Sequence, residues 1–419
     1  MAYRFCENEQ FDFEVRALLG AAWQKGSDPG EVLATAGALS DADGPRWFDA
    51  WTALARRVRA DGERAAAAGR KVSARDAWLR AAGYFGAGLV AADALADEAV
   101  LLEVFREHRE CFDRFAAAWE PAAERVTMPY EGTGLPGYLF RPAAGGTAAG
   151  GTAAGGTAAG GAAGSPTMIV NNGSDGPVGA AWTMLGAPAV ARGWNALLFD
   201  GPGQQTMLFE HGMPFRPDWE HVITPVVDFL LARGDVDPQR LVLAGISQAG
   251  YWVPRALAFE HRIAAGVADP GVVDVAASWW RNFPPELRAL FDAGEQEAFD
   301  AALREGLAQD AGFAAYWRWR AKPYRIDSPY DLLTEVGRYD LTAVLDRITV
   351  PLLVTSPEGE HFWPGQSRAL YEALPGEKAF VEFTAAEGAD LHCEPLGRAL
   401  FEQRVFDWLD GRLADRPAG

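Results

Sequence analysis

At 419 residues the chain is longer than the roughly 250–300 residues at which a single hydrophobic core stops growing, so a main core with appended parts is expected. Thirty-eight basic against fifty-seven acidic residues leave a net charge of −19, which repels nucleic-acid backbones and anionic membrane surfaces. The three scattered cysteines, Cys6, Cys111 and Cys393, exclude a disulfide framework or a Cys-rich zinc site, and neither a secretory signal nor a run of about 18 apolar residues is found, so a cytoplasmic protein is expected.

Residues 1–122 read as a helical N-terminal domain. Trp47, Trp51, Leu54 and Val58 recur at helical spacing, and Ser73 three before Asp76 predicts a capping box at the start of the next helix. The aromatics Trp78, Tyr84 and Phe85 suit packing or the wall of a substrate cavity. From Arg125 the period shortens: Val126 to Pro129 and Gly137 to Phe140 predict a hairpin turning at Glu131–Gly134. Residues 143–164 repeat Ala-Ala-Gly-Gly-Thr, a composition with little to bury, and predict a disordered loop.

Beyond the repeat, strands and helices alternate. Strands are predicted at Met168–Asn171, Asn195–Asp200, Leu241–Ala244, Ile263–Ala268, Pro351–Thr355 and Ala379–Phe383. Helices are predicted at Val178–Arg192, Trp219–Arg233 and Leu396–Leu413. The rhythm implies an α/β fold with a mostly parallel, doubly wound sheet across residues 123–419. Residues 272–345, rich in helix formers and aromatics, predict an inserted cap, and the tail from Ala414 to Gly419 is expected to fray.

The sharpest chemical signal is Gly245-Ile246-Ser247-Gln248-Ala249-Gly250, which follows an apolar strand and opens a helix. A serine on such a turn is presented as a nucleophile, with small residues two before and two after it. Ala249 stands where a second glycine is usual. The base is expected after the last strand, where His392 lies. For the acid after Pro351–Thr355, Glu360 is the choice, with Glu358 the runner-up and Asp269 a third candidate. The backbone amides of Gln248 and Ser174 are the expected oxyanion donors. Asp175 either serves the substrate as an acid, base or hydroxyl partner, or caps the following helix. In the cap, Trp279, Trp280, Phe283, Tyr316, Trp317 and Trp319 are candidates for stacking on an aromatic substrate, with Trp279, Trp280 and Trp317 put first. No metal-ligand spacing or cofactor motif stands out, so no metal or cofactor is expected.

Asn172-Gly173-Ser174-Asp175-Gly176, Asp200-Gly201-Pro202-Gly203-Gln204, the Ser247 turn and Gly388-Ala389-Asp390-Leu391-His392-Cys393, together with the helical N-terminus, resemble one group of α/β-hydrolases. That group contains 2,6-dihydroxypseudooxynicotine hydrolase and the fungal heptaketide-shortening hydrolases of melanin biosynthesis. The resemblance implies a triad of Ser247, Glu360 and His392, a homodimer, and an active site between the core and the helical domain. It also implies that Asp175 occupies the place of a glutamate assisting carbon–carbon cleavage. The chemistry implied is hydrolysis of a ketone C–C bond or an ester of an aromatic or polyketide-like small molecule through an acyl-serine. Alternatives are a carboxylesterase, peptidase or acyltransferase, and, in another class, a non-catalytic regulatory binding protein.

Overall fold

The computed structural model describes residues 3–91, 98–143, 164–281 and 283–414. Nearly all of the Ala-Gly-Thr repeat, expected to be a disordered loop, and the tail after Ala414, expected to fray, lie outside the described residues. Among the described residues no helix is long and apolar enough to cross a membrane.

Five helices come first: α1 (Glu9–Ala21), α2 (Pro29–Ala36), α3 (Gly44–Ala67), α4 (Lys71–Leu89) and α5 (Glu98–Ala117). The side chains of Asn8, Asp28 and Asp43 accept first-turn amides of α1, α2 and α3, caps typically worth about 1 kcal/mol each. Helix α4 departs from expectation. It begins at Lys71, before Ser73, with no side-chain cap, so Ser73 and Asp76 lie inside the helix and form no capping box. Gly69, at φ 72°, turns the chain out of α3 and sets where α4 starts. Packing decides that register: Trp47, Trp51, Leu54 and Val58 of α3 are buried with Tyr84 and Phe85 of α4.

The strands are β1 (Glu124–Tyr130), β2 (Thr133–Phe140), β3 (Ser165–Asn171), β4 (Asn195–Phe199), β5 (Val236–Ile246), β6 (Ala265–Asp269), β7 (Leu352–Pro357) and β8 (Lys378–Phe383). They form one sheet in the order β1-β2-β4-β3-β5-β6-β7-β8. The β1–β2 hairpin and the β2–β4 pairing are antiparallel, and every other pairing is parallel. The chain reverses its order across β3 and β5, the position where open α/β sheets leave a crevice beyond the strand ends.

After β3 come α6 (Val178–Ala181) and α7 (Ala187–Ala191), joined through a π-helical stretch; α8 (Gln205–Phe209) and α9 (Glu220–Leu231) lie between β4 and β5. Helix α10 (Ala249–Leu257) leads to β6. Between β6 and β7 run α11 (Ala277–Trp280), α12 (Pro285–Asp292), α13 (Gln296–Gln309), α14 (Ala311–Ala321) and α15 (Pro329–Val336). Helix α16 (Gln366–Ala373) precedes β8, and α17 (Arg398–Ala414) follows it.

Side-chain alternation along the strands splits the interior in two. Met168, Val170, Ala196, Leu198, Val242 and Ala244 lie in one buried cluster with α6, the π-helical stretch, α7 and α17, and with α1 to α5 beyond them. Ile169, Leu197, Leu241 and Leu243 pack with α9, α10 and the helices between β6 and β7. The N-terminal helices pack closely on one another and share this buried cluster. They meet the rest of the molecule at α6, the π-helical stretch and, through Phe112 and Phe115 of α5, at β2, with α1 at the crevice.

Candidate active site

Strand β5 delivers Ser247 into a turn where its own φ is 59°, the left-handed region that a serine occupies only when its surroundings enforce it. The enforcing contacts are steric. A Cβ on Gly245 would stand 2.6 Å from the Ala249 carbonyl oxygen, and one on Gly250 would stand 1.8 Å from that of Pro270. Ala249 itself is fully buried, so its methyl is accommodated where a second glycine is usual. The Ser247 amide donates to the Asp269 carbonyl at 2.6 Å, pinning the turn to the end of β6.

The turn after β8 brings His392 to the serine: Nε2 lies 2.9 Å from Ser247 Oγ and Nδ1 lies 2.7 Å from Glu360 Oε2. Glu360 Oε1 accepts the amides of Phe362 and Trp363 at 2.7 and 3.1 Å. Burial alone would raise the Glu360 pKa, but the His392 charge and hydrogen bond and the two amides reverse that direction and hold it at about 2. Burial likewise disfavours a charged His392, yet the Glu360 charge outweighs it and lifts the imidazole above its ordinary value. The rings of Phe362, Trp363 and Phe13 surround His392 at centroid distances of 4.7, 5.9 and 6.3 Å, shielding the pair from water. Glu358 is exposed and accepts the Ala385 amide at 2.8 Å. Asp269 is fully buried and binds Thr355 Oγ1 at 2.6 Å. Of the three sequence-predicted acids, Glu360 is the one bonded to His392.

The turn after β3 approaches from the other side. A Cβ on Gly173 would stand 2.8 Å from Ser247 Cβ, so a side chain there would obstruct the serine. Gln204, from the Asp-Gly-Pro-Gly-Gln segment, holds this turn by donating to the carbonyls of Asn172 and Gly173 at 2.6 and 2.7 Å. The Gly173 amide is taken by Asn172 Oδ1 at 2.9 Å. Asp175 does not cap α6, which has no side-chain cap. Its Oδ2 accepts Trp319 Nε1 from α14 at 2.9 Å, and its Oδ1 accepts Ser174 Oγ at 3.2 Å.

One contribution, from α1, was not legible in the sequence. Helix α1 carries Phe13 against the His392 and His361 rings, and the next residue, Glu14, faces Asp175. Burial in the cleft, and then the Asp175 charge, raise the Glu14 pKa to about 7. Of the tryptophans between β6 and β7, Trp319 is the one bonded to Asp175 at the crevice. Trp279 and Trp317 instead line a small cavity with Tyr316 and Arg320, and Trp280 packs among Phe283, Phe291 and Phe299. Among the described residues no group of three His, Cys, Asp or Glu is arranged to hold a metal ion.

No family model matches the chain. The α/β hydrolase ucsC of an Acremonium species is 30% identical, covering 98% of this chain and 88% of that protein. The 20-hydroxy-prefusarin hydrolase FUS2 of Gibberella moniliformis is 27% identical, covering 96% of each. Among solved structures, the 2,6-dihydroxy-pseudo-oxynicotine hydrolase superposes with a TM-score of 0.71 at 20% identity, covering 96% of this chain and 97% of that one. With a relative of this identity matched along almost its whole length, and the sheet order just described, the chain belongs to the α/β-hydrolase family and is a hydrolase.

Proposed function

We propose that the chain is a serine hydrolase that cleaves a ketone C–C bond, or an ester, of an aromatic or polyketide-like small molecule through an acyl-serine. The observation that carries this reading is the unbroken hydrogen-bonded chain Ser247–His392–Glu360 at the carboxyl ends of β5, β8 and β7. His392 Nε2 takes the hydroxyl proton as Ser247 Oγ attacks the carbonyl carbon, and Glu360 stabilises the imidazolium that results. In this reading the amides of Gln248, next to the serine in sequence, and of Ser174, next to Gly173, serve as oxyanion donors. Collapse of the tetrahedral species breaks the bond to the leaving carbon or oxygen, which takes up a proton either from the His392 imidazolium or from a neighbouring acid that His392 then re-protonates, so that His392 is neutral again. Water, activated by His392, then releases the acid and restores Ser247.

The paired carboxyls Glu14 and Asp175 favour the C–C substrate over a simple ester. A departing aryl carbon needs a proton, whereas a good alkoxide leaving group does not. Glu14, held near neutrality by its surroundings, is suited to supply it, and Asp175, fixed by Trp319, is suited to hold a ring hydroxyl. The relatives fit this reading: one is a 20-hydroxy-prefusarin hydrolase and one structural neighbour is a 2,6-dihydroxy-pseudo-oxynicotine hydrolase.

Labelling with a fluorophosphonate, followed by mass spectrometry, tests the mechanism. The label is expected on Ser247, and Ser247→Ala and His392→Ala are each expected to abolish both labelling and turnover. Wild-type turnover by Ser247→Ala rules the mechanism out.

A further inference from the structure

Behind the site lies an unusual group of buried charges. Asp269, at the end of β6, and Glu394, two residues after His392, are both completely buried, and their carboxyls lie within hydrogen-bonding reach of each other. Asp269 Oδ1 is satisfied by Thr355 of β7. Asp269 Oδ2 and both Glu394 oxygens have no donor among the described residues. Two ionised carboxylates offer each other only acceptors; a proton on one of them turns the contact into a hydrogen bond.

The charge balance points the same way. The groups facing the pair are Arg398 at the start of α17, the Cys393 thiol, and the His392–Glu360 couple. Glu360 is already matched by His392, and burial keeps the Cys393 thiol protonated. One guanidinium is therefore left to balance two carboxyls, and a dry site tolerates one negative charge beside it rather than two.

The placement gives the pair a use. The Asp269 carbonyl accepts both the Ser247 amide, at 2.6 Å, and the Cys393 thiol, at 3.4 Å. Its carboxyl meets Glu394. One residue thus touches the serine turn with its backbone and the histidine turn with its side chain. Cys393 and Glu394 sit at φ 54° and 43°, consecutive left-handed residues that need external restraint. Arg398 Nη1 binds the Cys393 carbonyl at 2.8 Å and completes the clamp.

We propose that Asp269 and Glu394 share a single proton, and that this hydrogen-bonded carboxyl pair is the positioning element that holds His392 in line with Ser247. Burial, the larger cause, and the Asp269 charge both raise the Glu394 pKa well above the carboxylate range, consistent with Glu394 as the proton's holder. As pH rises, loss of that proton leaves two buried carboxylates beside one arginine, the turn loosens, and turnover falls.

The inference rests on the serine-hydrolase reading for its kinetic arm and not for its thermal one. Hydrolysis of p-nitrophenyl butyrate by the full chain is followed from mildly acid to alkaline pH. Glu394→Gln preserves the shape and a donor but cannot titrate. It is expected to keep kcat at neutral pH within about three-fold of wild type and to lose the wild-type alkaline fall in kcat. Glu394→Ala is expected to lower kcat by about ten-fold or more with KM little changed, the mark of a misplaced base. A wild-type alkaline limb in Glu394→Gln, or a wild-type kcat in Glu394→Ala, overturns the proposal.

Melting temperature against pH supplies the second arm. A raised folded pKa makes the wild type lose stability as pH climbs from the ordinary carboxylate range toward that value, while the Gln variant has no such slope. The variant is therefore expected to gain on the wild type as pH rises. Parallel melting curves overturn the shared proton even if no ester is turned over, and an inactive wild type with diverging curves sinks only the serine-hydrolase reading.

Discussion

Glu358 and Glu360 are separated by a single glycine, yet one is solvated and the other is clamped between an imidazole and two amides. Glu360→Gln is expected to reduce kcat/KM by roughly 10²–10⁴ because the amide cannot stabilise the imidazolium, while Glu358→Gln leaves it near wild type; steady-state rates on one ester decide the ranking. The nucleophile and base were legible because their requirements are local: a glycine-flanked turn for Ser247, a slot after the last strand for His392. Glu14 was not, because Asp12, Phe13, Glu14 and Arg16 read as ordinary residues of an amphipathic helix, and only docking turns Glu14 toward the crevice. Its chemistry has a definite pH sign. Glu14 is protonated below about 7 and able to donate, so aryl-ketone cleavage is expected to fall as pH rises through that value. Glu14→Gln is expected to lower the aryl-ketone rate by roughly 10²–10³, to flatten that fall, and to spare p-nitrophenyl esters, whose leaving group needs no proton. Equal losses on both substrates, measured on one preparation, remove Glu14 from the chemistry.

Helix α1 meets the histidine turn at Gly20, and that contact has no room to spare. A Cβ there would stand 1.6 Å from the Pro395 carbonyl oxygen, a backbone atom that cannot swing aside as a flexible side chain can. Gly20→Ala is therefore expected to cost about 1–3 kcal/mol, the usual range for overpacking. Ala improves helix propensity at this site, so any loss reports the clash rather than the helix. Thermal melting measures the first quantity, and kcat on an ester measures whether the His392 turn shifts with it; an unchanged or higher melting temperature contradicts the contact. At this scale the sequence was informative where an apolar run is short and unbroken, as in β3, β4 and the core of β5, and where an amphipathic stripe is long, as in α3. It misled at Ser73, where a plausible cap worth about 1 kcal/mol is outweighed by the packing of α4 on α3. It was silent on Gly20, because a glycine within a helix signals close approach without naming the partner.

The arrangement of the whole molecule follows from which sheet face each helix covers. Reading the chain from its start suggests a helical domain followed by a separate catalytic one, because the hydrophobic period changes near Arg125. The interior joins the two: buried residues of α1 to α5 are continuous, through α6 and the π-helical stretch, with Met168, Val170, Ala196, Leu198, Val242 and Ala244 on one face of the sheet. Asp200, 3% exposed at the end of β4, is paired at 3.1 Å with Arg109 of α5, tying the layers with a charge neither can leave unpaired. A detachable lid would leave behind a catalytic core with little apolar surface to cover. Here, removal uncovers the apolar outer side of β2 and the π-helical stretch, including Phe140 and Trp182, and leaves Asp200 without its partner. A chain beginning at Glu124 is thus expected not to fold into a smaller, less selective hydrolase. It is expected to show no cooperative melt, to bind a hydrophobic dye and to self-associate, since exposed apolar area of this extent drives aggregation. Sedimentation and calorimetry on that truncation test the point. A monomer that melts cooperatively and takes a fluorophosphonate on Ser247 makes the N-terminal helices a lid after all, and requires Phe13 and Glu14 to act as visitors to a site that is complete without them.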